Sequence, residues 1–331
     1  MIHRILCSCV LGILWACVAS AQPRWLKGNT HTHTSNTDGD SSPDTVVRWY
    51  KEHGYYFVVI SDHDSLTPVE GLNGLFGTPG RFLVLSGVEV TDRFEGKPVH
   101  LIGVGVREAV TPQGGATVQE MLERDAKAIR AAGGVPHANH PNFGWALTSE
   151  NIALAPSLKH FELWNGHPLV NNRGGGGAYS TEEIWDQMLS SGRLIYAVAA
   201  DDAHHFKGEF SPGLANPGRA WIVVRAAELS AAALLAAMER GEFYASTGVT
   251  LKDYEVTAMG IRIELPAASG ATAPRYRTFF IGRHGEVLRR DDTLTPSYTF
   301  TGHELFVRAR IESSTGAVAW TQPVFLKEVR K

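Results

Sequence analysis

The chain has 331 residues, 44% of them hydrophobic and 20% charged, with 31 Lys and Arg against 34 Asp and Glu and a formal net charge of −3. That length exceeds one typical domain and is enough for a full core, and with no basic excess nucleic acid is not the expected partner. All three cysteines, Cys7, Cys9 and Cys17, fall within residues 1–21, which excludes a disulfide framework or a thiolate zinc module from residues 22–331.

Residues 1–21 read as a signal peptide. His3 and Arg4 lead into an apolar run from Ile5 to Val18, and Ala19-Ser20-Ala21 is a small-x-small cleavage signature. The run is short for a membrane span. The expected location is therefore periplasmic or secreted, with no membrane span after leader removal.

Gly28 to Asp40 follows, carrying His31, His33, Asp38 and Asp40. On extended chain His31 and His33 point to one face, and the Thr/Ser/Asn/Gly-rich turn can fold Asp38 back toward the same ion. Ser42-Pro43-Asp44 predicts a helix start and Gly54 its end. Tyr55 to Ile60 reads as a buried parallel strand running into Ser61-Asp62-His63-Asp64. Arg81 to Leu85 is a second apolar run, delivering Glu89, and His100 to Val106 resumes a strand after a turn at Glu95-Gly96-Lys97.

The spacing predicts a helix from Thr117 to Ala132, then Val135 to Ala138 leading to Asn139, His140 and Pro141. His160 to Asn165 is a short strand, Arg173 precedes four glycines, and Ser180 to Glu183 is a capping box. Leu194 to Ala200 runs into Asp201-Asp202-Ala203-His204-His205. Beyond Gly248 short alternating runs split by turns predict a small β-rich C-terminal domain, residues 248–331, after a main domain at 22–247.

Of the 14 histidines, 11 lie between residues 31 and 205, concentrated where apolar runs end. In an α/β barrel those ends form the mouth of the active site, so residues far apart in sequence converge there. His31, His33, His63, Glu89, His140, Asp202 and His204 all have this placement. His100 precedes its run, and a hairpin after Glu89 would return it to the mouth.

The segments HTHTSNTDGD, SDHD, GVEVT, His100-Leu101, His140-Pro141 and DDAH resemble the PHP superfamily of polymerase- and histidinol-phosphatase-like metallohydrolases, in collinear order over residues 27–245. FELWNG and the closing Ala319-Trp320-Thr321-Gln322-Pro323 look most like a secreted branch with carbamate-hydrolase-like members. The resemblance implies a distorted (β/α)7 TIM-like barrel (the PHP fold) that binds two or three divalent metal ions, Zn, Mn or Fe. Carried over, it implies that His31, His33, Glu89 and Asp202 hold one ion and that Asp38, His63 and His204 hold a second. Glu89, bridging, would hold a third with His100 and His140. Asp38 stands where some members carry His.

Glu89, Asp202 and His204 are the candidate catalytic residues. Arg173, His137 and His205 are the candidate substrate-binding residues, and Asp62 and Asp64, flanking His63, are candidates to fix a ligand imidazole. Glu162 can face the mouth or pair with a cation in the wall. The implied function is a metal-dependent hydrolase using a metal-bridging hydroxide, with a small phosphomonoester or phosphodiester as the leading substrate and a carbamate, ester or amide as the alternative. Two rivals remain. The amidohydrolase barrel usually needs a bridging lysine, where this chain has Glu89, and a non-catalytic secreted binding protein would be expected to lack ligands that are all present here.

Overall fold

A computed structural model describes residues 22–267, 270 and 273–326; the leader expected at 1–21 lies outside the described residues. Seven strands lie side by side in chain order: β1 (Arg24–Asn29), β2 (Phe57–Ile60), β3 (Leu83–Phe94), β4 (Lys97–Val104), β5 (Val135–Ala138), β6 (His160–Asn165) and β7 (Tyr196–Ala200). β1, β2 and β3 pair in parallel, as do β5, β6 and β7, while β4 runs antiparallel to both β3 and β5. Helices α1 (Pro43–Glu52), α2 (Glu70–Phe76), α3 (Val118–Ala131), α4 (Ser149–Ala153) and α5 (Thr181–Ser190) make the crossovers. This is the expected distorted (β/α)7 barrel.

The distortion sits at the β3–β4 hairpin, where Glu95 and Gly96 adopt φ of 50° and 81°, a conformation that glycine takes at no steric cost. Two expected boundaries shift. β2 begins at Phe57, and β3 is a single long strand that carries Glu89 at mid-length. Helix starts follow their caps: Thr117 accepts from the Glu120 N–H at the head of α3, and Ser180 and Glu183 form a reciprocal capping box on α5.

Alternate residues of the strands fill the barrel interior. Leu26, Phe57, Val59, Leu85, Ile102, Val104, Val135 and Val198 form one buried cluster, floored by Leu234, Ala237 and Met238 of α6 (Ala231–Glu239). Two glycines make room for this packing. A Cβ on Gly28 would lie 2.2 Å from the Phe57 ring, and one on Gly87 2.3 Å from a Val59 methyl. Continuing the same alternation toward the mouth leads from Leu85 through Gly87 to Glu89, and backward along β4 from Val104 through Ile102 to His100.

The seam between β7 and β1 is closed by main chain next to the site. The Asp202 N–H donates to the His31 carbonyl (3.0 Å) and the His33 N–H to the Ala203 carbonyl (2.9 Å). The Asp201 N–H donates to Asn29 Oδ1 (2.9 Å). Asp201 is itself buried, accepting from the Tyr50 hydroxyl and from the Gly218, Arg219 and Ala220 N–H groups.

On the other side of β1 lies β8 (Trp221–Ala226), then β9 (Phe243–Ser246). The C-terminal β-rich region consists of β10 (Asp253–Thr257), β11 (Gly260–Glu264), β12 (Tyr276–Ile281), β13 (Val287–Asp291), β14 (Ser297–Thr299), β15 (Phe306–Ser313), β16 (Val318–Thr321) and β17 (Val324–Phe325). β16 pairs with β9, so β13, β12, β15 and β16 continue the barrel sheet. β10, β11 and β14 form a second sheet, and Tyr254, Ile261, Ile263, Phe280, Val307 and Ile311 fill the core shared by the two. Among the described residues no helix is long and apolar enough to cross a membrane.

Gln322 and Arg308 lead the polar contacts that fasten this region to the barrel. Gln322 is buried and reads the β7 edge as a strand would, accepting from the Ala197 N–H (2.8 Å) and donating to the Ala197 carbonyl (2.9 Å). Arg308, fully buried, makes a two-pronged bond to Asp186 of α5 at 2.9 and 2.8 Å, meets Glu182 at 2.9 Å and lies over the Trp185 ring. Removing one partner of such a pair strands the other charge in the interior. Arg308→Ala is expected to cost about 3–5 kcal/mol, read as a lowered denaturant midpoint in circular dichroism.

Candidate metal centre

Glu89 is the hub. Its carboxylate is buried at mid-β3, and imidazoles from four separate segments converge on it. Oε2 lies 3.3 Å from His31 Nε2, 3.2 Å from His33 Nε2 and 3.2 Å from His63 Nδ1. Oε1 lies 3.0 Å from His100 Nδ1 and 3.3 Å from His140 Nε2, and accepts from the Asn139 amide at 2.7 Å. Asp202 is the second buried carboxylate, its Oδ1 3.2 Å from His31 Nε2 and 3.4 Å from His33 Nε2. Asp38, half-exposed, places Oδ2 3.3 Å from His63 Nε2 and 3.2 Å from His204 Nε2.

These contacts resolve into three overlapping groups whose candidate ligand atoms lie within 4.8 Å of one another: His33, Asp38, His63 and His204; His31, His33 and Asp202; and His31, Glu89 and His140. The groups share His31 and His33, and Glu89 stands beside all of them.

Three of the rings have one nitrogen committed elsewhere. His31 Nδ1 lies 2.7 Å from Glu162 Oε1, and His204 Nδ1 lies 3.0 Å from the Asp202 carbonyl. His63 Nδ1 lies 2.7 Å from the Thr91 hydroxyl, which itself donates to the Glu89 carbonyl. These acceptors place the proton on Nδ1 and turn the Nε2 lone pair of each ring into the cradle.

The His31 and His33 Nε2 atoms are 3.1 Å apart, a spacing at which one proton or one bound cation can be shared between their lone pairs. His33 Nδ1 and His100 Nε2 are buried without a hydrogen-bond partner. An all-imidazole and carboxylate donor set fits divalent ions such as Zn, Mn or Fe.

Electrostatics point the same way. Burial opposes a charge on His31, yet Asp202, Glu162 and Glu89 outweigh it and hold the ring well above the ordinary histidine range. Burial likewise opposes the ionised forms of Glu89 and Asp202, but the surrounding imidazoles, His31 foremost, pull both well below the usual carboxylate range. Asp202 and His140 have positive φ, 50° and 22°, a strained conformation for non-glycine residues. The His31 carbonyl holds the first through its N–H and Glu162 Oε2 holds the second, at 2.7 Å from the His140 N–H.

Of the residues singled out from the sequence, His31, His33, Asp38, His63, Glu89, His100, His140, Asp202 and His204 come together here. The others stand elsewhere. His137 is fully buried below the cradle with neither ring nitrogen bonded, and burial pushes its pKa down to about 3, so it is a neutral interior ring that cannot reach a substrate. Arg173 lies over Trp164 in a different cavity, with Trp320 and Glu182, because its glycine loop leads away from the mouth.

His205 is spent within its own loop: its ring accepts from the Ala215 N–H and its carbonyl from the Asn216 amide. Asp62 touches no ligand ring. Its oxygens are taken by the Thr34 N–H and the hydroxyls of Thr34, Thr37 and Thr67, which fix the turn carrying Asp38. Asp64 accepts from the Thr91 N–H, so Thr91 meets His63 and Asp64 acts only through it.

Glu162, left open in the sequence, faces the mouth and orients His31. Asn165 was not foreseen: its amide bonds both Glu162 Oε2 (2.8 Å) and Asp202 Oδ2 (3.0 Å). Its one signal was its place at the end of an apolar strand.

No family profile matches the chain. It is 26% identical over 200 residues to the 5'-3' exoribonuclease Rnm of Salmonella typhimurium, a match covering 57% of this chain and 64% of that relative. A crystal structure from Bacteroides vulgatus, a two-domain protein containing a predicted PHP-like metal-dependent phosphoesterase, superposes with a TM-score of 0.51 at 14% identity, covering 88% of this chain and 90% of that one. The fold of this chain is therefore that of this two-domain structure with its PHP-like domain. What the fold and the cradle together give is a candidate metal centre at the mouth of a barrel of that fold class.

Because Glu162 sets the proton position on His31, Glu162→Gln is expected to weaken metal affinity about 10- to 100-fold, measured by chelator competition, with the circular dichroism spectrum unchanged.

Proposed function

We propose that this protein is a metal-dependent phosphoesterase acting on small phosphomonoesters or phosphodiesters. The observation that carries the reading is the convergence of three candidate ligand groups on Glu89 beside an open cavity of about 400 Å³. Divalent ions held there supply Lewis acidity and, from water, a nucleophile at neutral pH. The chain supplies the rest. Glu89 and Asp202 would hold the ions with fixed negative charge, Asp38 would add a carboxylate on the exposed side, and Glu162, Thr91 and the Asp202 carbonyl hold the imidazoles.

Among the described residues Arg93 is the one Arg or Lys that lines this cavity, whose rim is otherwise partly apolar at Phe143 and Leu169. One cation suits a single phosphoryl group, whereas a polynucleotide track needs a row of them. The likeness to an exoribonuclease supports a second reading, in which the phosphoester belongs to the end of an RNA chain. Carbamate or ester hydrolysis on the same centre is what the resemblance to the carbamate-hydrolase-like branch supports. We further propose export, from the leader at 1–21. The protein recovered from outside the cytoplasm is then expected to begin at or near Gln22 by N-terminal mass analysis.

The test is a panel of aryl phosphate, phosphodiester, 5'-phosphorylated oligoribonucleotide and aryl carbamate, assayed with Mn or Zn beside metal analysis of the purified protein. More than one metal equivalent and preferential turnover of the small phosphoesters are expected, and Glu89→Gln should abolish turnover in a folded protein. Full activity in a metal-free preparation defeats the mechanism. Turnover of carbamate or RNA alone moves the assignment to that chemistry.

A further inference from the structure

His167, in the turn after β6, lines the cavity beside the cradle, yet it is a member of no candidate ligand group. Its ring centroid is 5.5 Å from that of His204 and 6.2 Å from that of Phe143. The turn leaves the ring little freedom. The Gly166 N–H donates to the Ala200 carbonyl at 2.8 Å, the His167 N–H to Asn165 Oδ1 at 2.8 Å, and the Val170 N–H to the His167 carbonyl at 3.1 Å. Arg219 grips the Gly166 carbonyl, and Pro168 restricts the backbone on both sides of its peptide bond. A side chain at Gly166 is excluded, since a Cβ there would lie 2.7 Å from the Asp201 carbonyl oxygen.

The Leu169 N–H donates to His167 Nδ1 at 3.2 Å. That bond needs a lone pair on Nδ1, so the ring carries its proton on Nε2, the nitrogen that has no hydrogen-bond partner among the described residues. A second proton on Nδ1 would set two hydrogens against each other, so the ring keeps its Nε2–H as a donor. The Asn165 that holds the His167 backbone also bonds Glu162 and Asp202, which ties the donor's position to the cradle.

We infer that His167 is a substrate-contacting residue whose Nε2–H donates a hydrogen bond to an anionic oxygen of the reacting group, stabilising it there while keeping its own proton. This rests on the phosphoesterase reading, with inorganic phosphate as the stand-in for that group. The comparison is between wild type, His167→Phe and His167→Gln, with fold checked by circular dichroism and metal content by elemental analysis.

His167→Phe is expected to weaken phosphate binding, measured by calorimetry, and to lower kcat/KM by about 10- to 100-fold, the range for a bond to a charged acceptor. Metal content should not change. His167→Gln, whose amide offers an N–H at similar reach, is expected to recover part of both. Nitrogen-15 spectra of the metal-free protein at pH 7 should report the Nε2–H tautomer for this ring.

Phosphate binding by His167→Phe within twofold of wild type, no recovery in His167→Gln, or an Nδ1–H tautomer would each overturn the inference. If wild type turns over no phosphoester while the two variants still differ in phosphate binding as expected, the phosphoesterase reading fails and the hydrogen-bonding role of His167 stands.

Discussion

A carboxylate buried at the centre of a barrel mouth is costly unless opposite charge neutralises it. Glu89 is such a group, and the site is its solution: five imidazoles within 3.3 Å, an Asn139 amide, and a second buried carboxylate at Asp202 to balance the positive charge. Positive charge among these groups, on the imidazoles or on bound cations, is what satisfies the arrangement. The same demand explains the outer ring of acceptors, Glu162, the Thr91 hydroxyl and the Asp202 carbonyl, which leave the Nε2 lone pairs facing inward.

The barrel makes this placement affordable by separating chemistry from cohesion along one axis. Leu26, Phe57, Val59, Leu85 and Ile102 pack the lower interior on α6, and the same alternation continued upward delivers Glu89 and His100. Gly28 and Gly87 let large neighbours cross the interior. The left-handed backbone at Asp202 and His140 is held by the bonds that also seat the ligands, so local strain and function coincide.

Much of this was legible because barrel chemistry follows a positional rule: a polar residue just past an apolar run sits at the mouth. His31, His63, His140 and Asp202 obey it. His100 breaks it because β4 runs backward, so its mouth end comes first in sequence, and the turn at Glu95-Gly96 was the clue. Glu162 was ambiguous because a strand-end acid can as well serve the wall. Asn165 and His167 were missed because an amide and one more histidine carry no spacing signal, and their roles rest on hydrogen bonds between segments. Arg173 misled because a flexible glycine loop says nothing about which way it leads, and Asp62 and Asp64 because nearness in sequence to His63 is not contact with its ring.

β7, the strand that leads into Asp202, is the last member of the hydrogen-bonded strand order, and Gln322 occupies its free peptide groups at Ala197. An open strand edge recruits other chains. The C-terminal region thus acts as a guard on the rim of the barrel, and a protein cut back to its first 247 residues would bare a sticky border on the strand that leads into Asp202. Barrel and β-rich tail thus share one sheet and one protected edge.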